Sequence, residues 1–351
     1  MIWFSWRQFR SGTLAAFVLL AAAALLLGIT GVHLSHLYAD YRSCSGFTCG
    51  GALSKVTGSY RHVALIGNAL IFLPAVLGLF WGAPLVAREL ESGTFRLAWT
   101  QGISRTRWMA SKVAFAGLST AVVAGALVFA FSWWSIPFDR IDGNRLDPTI
   151  FAERGIVPVA YSLFAFALGV AAGAVIRRTL PAIAATLVGF TGVRLLVQFF
   201  VRPHLLAPLH KTFALGDGAG VGIGRSGSGA LSISVNGAPQ LHGAWVTGSK
   251  LVDAAGHAPA SDFVRNACQA ILNLPPQGPQ VRPGVKMAAP AQAQQAFDTC
   301  IRNVGLHYHE VVAYQPESRF WALQWLESAI FLGLTVALLA LAIYWVRRRL
   351  A

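Results

Sequence analysis

Two imidazoles and a carboxylate lie together at His307, His309 and Glu310, on either side of Tyr308. At alternate positions of a strand the two rings would face one way, which is the start of a divalent-metal donor set. No further ligand is identifiable, so a membrane-embedded enzyme with a metal site in an outer module stands as the alternative reading. Gly243, Gly248, Ser249 and Lys250 echo a phosphate loop. With the serine before the lysine, however, the ammonium could not follow the second glycine onto a phosphate. Gly222, Gly224 and Gly227 match a dinucleotide fingerprint in spacing alone, with no strand–helix unit around them. There is no nucleophile–base arrangement and no carboxylate pair inside an apolar stretch that could relay a proton. The reading is of a chain with no catalytic residue, no metal site and no nucleotide site of its own.

Polar groups within apolar stretches are the other chemical signal, because an ionisable side chain at membrane depth is costly unless it faces protein or water. Arg194 and Gln198 lie one helical turn apart on one face, Asn68 is a weaker case, and Glu327 is placed to pair with Arg194. Structural pairing is the preferred reading.

These residues need elements to hold them, and the composition names the kind. Of 351 residues, 55% are hydrophobic and 12% charged, with mean hydropathy +0.55, figures that a soluble protein does not have. Spans are expected from about Gly12 to Val32, His62 to Val86, Val113 to Trp134, Ile156 to Ile176, Leu180 to Val201 and Phe320 to Val346. Arg177, Arg178 and Thr179 alone separate the fourth from the fifth, which predicts a tight helical hairpin. The first stretch is too long for a secretory signal core, and five further spans follow it. The fold class is therefore an all-α polytopic membrane protein of six transmembrane helices, with a large α+β extracellular insertion between spans five and six.

The net charge of +14 would suggest nucleic acid in a soluble protein. Here much of the excess flanks spans, so membrane lipids are the expected partner and nucleic acid is not. Orientation follows from the cations. Arg7, Arg10, Arg88, Arg96, Arg105, Arg107, Lys112, Arg177, Arg178 and Arg347 to Arg349 lie on one side. Arg42, Lys55, Arg61, Arg140, Arg145 and Arg154 lie in the short loops of the other. Twice as many on the first side puts both termini in the cytoplasm. Before the first span, residues 1–11 alternate Trp3, Phe4, Trp6 and Phe9 with Arg7 and Arg10, as expected of an interfacial helix. All four cysteines, Cys44, Cys49, Cys268 and Cys300, fall in segments assigned to the outside, where disulfides persist. Cys44–Cys49 would close a small loop and Cys268–Cys300 a longer one, though four cysteines allow three connectivities.

The boundaries are thus 1–11, then 12–202 for spans one to five with a cytoplasmic loop at 87–112, 203–319 for the outer domain, and 320–351 for the sixth span and its basic tail. Within the outer domain the alternation from Ala230 to Val235 before Asn236-Gly237 reads as a strand and a hairpin turn. Residues 258–275 and 291–305 read as helices, with a proline-rich loop from Pro275 to Pro290 between them.

The 87–112 loop is the most informative stretch. Glu89 and Glu91 lead to Gly93-Thr94, where the helix must break and a new short one can start. Phe95, Leu97, Ala98 and Trp99 supply apolar surface up to Gln101 and Gly102, and Ser104 is placed to cap the third span. A short amphipathic helix held between two spans is what a membrane protein needs to take force from a soluble partner.

The run Glu89 to Thr94 after a second span, followed by Trp99 to Trp108 and Lys112, resembles the permease subunits of type-2 ABC transporters, particularly an actinobacterial branch. Trp6 to Arg10, Arg202-Pro203-His204, and Ser318 to Trp321 with Gln324 and Glu327 are similar to that branch as well. The resemblance implies an exporter in a bacterial plasma membrane, moving an amphipathic small molecule or lipid. It implies a permease that works as a homo- or heterodimer with separate ATPase subunits, which bind the ATP and magnesium that this chain does not. It further implies that Glu89, Glu91, Gly93, Thr94, Phe95, Trp99 and Gln101 belong to the coupling helix that docks on the ATPase.

Overall fold

A run of apolar residues cannot leave its backbone amides unpaired in lipid, so such runs become helices. In the computed structural model six helices are long and apolar enough to cross a membrane: Leu20–Ser43, Ala69–Ser92, Arg105–Trp134, Val157–Ile176, Thr179–His204 and Glu317–Arg348. The chain is described except for residues 1, 45–47, 60–66, 95–103, 143–144, 216–219, 226–230, 237–240, 242, 270–290 and 350–351. The protein is a multi-pass membrane protein. One helix, Ile2–Ser43, contains both the expected interfacial segment and the first span. No boundary forms near Gly12, and the helix contains the whole of the expected span from Gly12 to Val32. The second span is described over Ala69–Ser92, and residues 62–66 of its expected start lie outside the described residues.

Burial ranks the spans. The apolar window of the fourth is 67% buried and that of the first only 17%, so the fourth is the pillar and the first is peripheral. The fourth packs against the second, third, fifth and sixth. The first leans on the third, where Trp134 Nε1 donates to Thr30 Oγ1 at 3.0 Å. Fourth and fifth form the tight hairpin: Arg177 takes a left-handed conformation at φ 60° that ends one helix, and Thr179 starts the next.

Two spans are not regular. The second begins as a 3₁₀ turn at Asn68–Phe72, runs as α-helix over Leu73–Leu77, widens to a π turn at Gly78–Gly82 and resumes at Ala83–Ser92. Pro74 and Pro84 sit in the first turn of the two α pieces, where a missing amide costs no hydrogen bond. The fifth widens to a π turn at Val197–Val201 and closes with a 3₁₀ turn at Arg202–His204.

Residues Ala207–Pro316 form a separate compact unit. Its antiparallel sheet has strand β5 (His309–Gln315) between β1 (Leu209–Ala214) and β4 (Trp245–Val252). A second ladder joins β2 (Gly220–Arg225) to β3 (Leu231–Asn236). The expected strand is present as β3, but it pairs backwards, with Leu231 opposite Arg225 and Asn236 opposite Gly220. Gly222 and Gly224 alternate with Val221 and Ile223 in β2, and their lack of side chains conceals the strand signal. Gly237, and with it the expected turn, lies outside the described residues, as does the Pro275–Pro290 loop.

Helix Ser261–Ala267 falls within the expected 258–275, of which residues 270–275 lie outside the described residues, while Ala291–Gly305 matches. The Cys268–Cys300 disulfide joins these two helices and packs with Leu251, Val264 and Val304 as the unit's core. Cys44 and Cys49 are bonded to one another beyond the first span.

Candidate functional site

The loop between the second and third spans is braced from within. The helix Ala83–Ser92 stops because Gly93 turns left-handed at φ 73°, a conformation that only glycine adopts cheaply. Thr94 Oγ1 lies 3.0 Å from Ser92 Oγ beside that break. Ser104 Oγ then accepts from Arg107 N at 3.3 Å and caps the third span, as its type predicts. Between cap and break, Phe95, Trp99 and Gln101 lie outside the described residues.

Glu89 and Glu91 both bond within the chain, the first from a buried and the second from an exposed position. Glu89 is 7% exposed, and its carboxylate forms an ion pair with Lys112 Nζ on the third span. The ammonium also sits 5.0 Å from the centre of the Trp108 ring, which adds a cation–π attraction. Glu91 Oε2 accepts from Thr179 N at 3.0 Å and from Thr179 Oγ1 at 2.7 Å. It caps the fifth span from across the bundle, satisfying an amide that the helix start leaves open. Both glutamates therefore tie the end of the second span, one to the third span and the other to the fifth. Around them Leu85, Val86, Trp108, Met109, Phe166, Val170 and Val346 pack four spans together.

Glycines fasten the second span to the pillar along its length. A Cβ on Gly78 would meet the Ala165 carbonyl oxygen at 2.7 Å, and one on Gly82 would meet that of Phe166 at 2.5 Å. On the facing helix, a Cβ on Gly169 would lie 2.6 Å from Ala83 N, and one on Gly173 would lie 2.7 Å from Ala83 O. Two small-x-x-x-small pairs thus allow backbone-on-backbone packing, the contact by which helices associate tightly in lipid. Spacing alone could have found these residues.

At the far end of the bundle lies a buried charge cluster that sequence reasoning saw only in part. Arg202 is 1% and Glu327 0% exposed. Arg202 donates from Nε to Glu327 Oε2 at 2.7 Å and from Nη2 to Oε1 at 2.9 Å, a two-pronged pairing. Tyr161 donates its hydroxyl to the same carboxylate and accepts from Arg202 Nη2 at 3.0 Å. One ion pair therefore joins the fourth, fifth and sixth spans.

Glu327 was expected to pair with Arg194, and this is corrected. Arg194 Nη1 instead donates to the Ile71 carbonyl oxygen at 2.6 Å, in the 3₁₀ turn of the second span, with its guanidinium 5.2 Å from the Tyr161 ring. Gln198 is half-buried in the π turn of the fifth span. Asn68 opens the 3₁₀ turn, and its side chain lies outside the description.

Gln324 completes this end. Its Oε1 accepts from Ile156 N and Val157 N, each at 2.9 Å, and its Nε2 donates to the carbonyls of Phe151 and Arg154 at 3.2 and 3.1 Å. One amide thus serves four backbone groups at the start of the fourth span. Gly155, at φ 70°, leaves room for it, since a Cβ there would stand 2.7 Å from Oε1. Beside it Glu153 is buried, and burial holds its carboxyl up at about 7 against the pull of Arg154 and Arg194.

The candidate metal ligands are not gathered. His307 lies in the turn after helix Ala291–Gly305, against the Phe263 ring, so it cannot alternate with His309 on a strand. Glu310 is fully buried opposite Phe213 and Leu251. Its two oxygens have no hydrogen-bond partner among the described residues, and burial raises its pKa. Gly248, Ser249 and Lys250 lie within strand β4, not in a loop that could cradle phosphate. Gly222 and Gly224 lie within β2.

Six apolar helices, a braced connection between two of them and an ion pair locking three others define a polytopic membrane component built to hold its helices in register. Residues 17–202 match the model of the ABC-2 membrane transporter related family, and the chain belongs to that family. Its members are the membrane components of ABC transporters and work with ATPase subunits. No curated protein and no solved structure matches the chain. The 207–316 unit and the sixth span lie beyond the matched residues.

Proposed function

We propose that this chain is the permease subunit of an ATP-driven exporter of the actinobacterial branch of the family, in a bacterial plasma membrane. A separate ATPase subunit binds ATP and magnesium, and a second permease subunit, identical or related, completes the transporter. The 87–112 loop faces the cytoplasm and docks on the ATPase. The 207–316 unit faces outward, where both disulfides are stable.

The observation that carries this reading is the bracing of the loop's start. A push on the loop reaches the third span through Glu89–Lys112, the fifth through Glu91–Thr179 and the fourth through the glycine contacts. Closure of the ATPase pair then biases the bundle between inward- and outward-facing arrangements, because one of them fits the closed pair better. The cargo is an amphipathic small molecule or lipid, moving along the second and fifth spans. Both carry a π turn, a feature common at functional sites.

The test is stimulation of ATPase activity by the reconstituted complex. Glu91→Ala and Gly93→Pro are expected to uncouple it. Wild-type stimulation in both variants would remove the loop from the mechanism.

A further inference from the structure

A cavity of about 520 Å³ opens at the far end of the third, fourth and sixth spans, within the ~300–1,000 Å³ range of small-ligand sites. Its wall is apolar, formed by Phe129, Trp133, Ile136, Val159 and Trp321. Phe129 is 76% and Trp321 53% exposed, so this wall is open to whatever surrounds the bundle. The two tryptophans place it at the depth of a membrane interface.

The closed end is polar. Arg154 lines the cavity with a side chain only 9% exposed. Its Nη2 donates to Asp139 Oδ1 at 3.2 Å, and the guanidinium stands 4.7 Å from the Phe131 ring centre. Its Nε and Nη1 are buried with no hydrogen-bond partner among the described residues. Ser132 Oγ lines the same cavity and also has none. Buried donors of a cation are expensive to leave unmade, so the site calls for acceptor oxygens. Asp139 takes up only Nη2 of Arg154, so Nε and Nη1 are left for a second acceptor.

We propose that this cavity binds an anionic amphiphile: a phosphate or carboxylate head on Arg154 and Ser132, and an acyl chain along Phe129, Trp133 and Trp321. It is reached from the bilayer leaflet at that end and does not depend on the transport reading. The charged neighbour Arg145 gives its Nε and Nη2 to Glu317, whereas Arg154 keeps buried Nε and Nη1 donors without a partner among the described residues.

The test uses the full-length chain, stripped of lipid in detergent and offered one probe at a time, with bound species read by native mass spectrometry. The probes are dioleoylphosphatidylglycerol, dioleoylphosphatidylcholine, oleate and inorganic phosphate. Phosphatidylglycerol is expected to bind about tenfold better than phosphatidylcholine, the effect of one charge-assisted hydrogen bond. Arg154→Gln should erase that preference. Phe129→Ala, at an exposed ring that the fold does not need, should weaken phosphatidylglycerol several-fold. Oleate binding as well as phosphatidylglycerol supports the site and assigns it to a fatty acid; phosphatidylglycerol alone assigns it to a membrane lipid. Displacement of phosphatidylglycerol by inorganic phosphate overturns the proposal, since the chain would then be idle. Equal binding of the two phospholipids by the wild type, or unchanged binding in Phe129→Ala, overturns it as well.

Discussion

The two ends of the bundle solve the same problem differently. At the far end, Arg202, Glu327 and Tyr161 satisfy one another inside a dry cluster, and Gln324 closes the adjacent helix start. At the loop end, Glu89 is buried with Lys112, but Glu91 reaches Thr179 from an exposed position. Enclosure makes the first arrangement rigid, because an unpaired charge there has no water to turn to. Partial exposure makes the second easier to open. A bundle fixed at one end and tied by lighter contacts at the other will hinge at the lighter end.

The largest expected effect tests the rigid end. Arg202→Met leaves Glu327 buried without its partner and should lower stability by about 3–5 kcal/mol, the usual result of breaking such a pair. Thermal unfolding in detergent measures it. Adding Glu327→Leu should restore much of the loss, and a double variant no better than the single would show that the pair is not coupled. Glu89→Gln is the equivalent test at the loop end. Its expected loss is smaller, about 2–3 kcal/mol, because the glutamine carbonyl can still accept a hydrogen bond from the Lys112 ammonium.

Gly173→Val tests whether backbone contact holds the second span to the fourth. Overpacking should cost about 1–3 kcal/mol, and a variant that melts like the wild type would mean that the helices can separate freely. Glu91→Ala removes a cap that water can partly replace, so little change in stability is expected, with the larger consequence in ATPase stimulation.

A separate test at the rigid end is pH dependence. Folding raises the Glu153 carboxyl to about 7, above its unfolded value of roughly 4.3. The folded chain therefore holds the extra proton, and this contribution is fully present below the unfolded value and is lost as pH rises through about 7. Unfolding midpoints should fall between pH 5 and pH 8, and Glu153→Gln should flatten that slope.

Much of this architecture is legible along the chain. Hydropathy alone finds the six spans, and Gly93 and Ser104 announce the break and the cap on either side of the loop. The ion pair is not legible, because Arg202 and Glu327 stand 125 positions apart and local pattern carries no information about which cation meets which anion. Arg194 was the natural partner for Glu327 by depth, but the irregular second span offers it a carbonyl instead. The resemblance assigns Glu89 and Glu91 to the coupling helix, and local pattern did not show that their carboxylates meet Lys112 and Thr179 of the same chain. Strand β2 escaped because glycine hides alternation, whereas the glycines between the second and fourth spans were in plain view at their fourfold spacing.

The π turns in the second and fifth spans carry a consequence for motion. Such a turn holds one residue more than an α-helix would use over the same rise, so the faces above and below it are offset by about 100°. When that surplus residue shifts along the helix, the side chains it passes swing round while both helix ends keep their positions. A conduit walled by two such helices can exchange one lining for another without loosening a single terminal clamp.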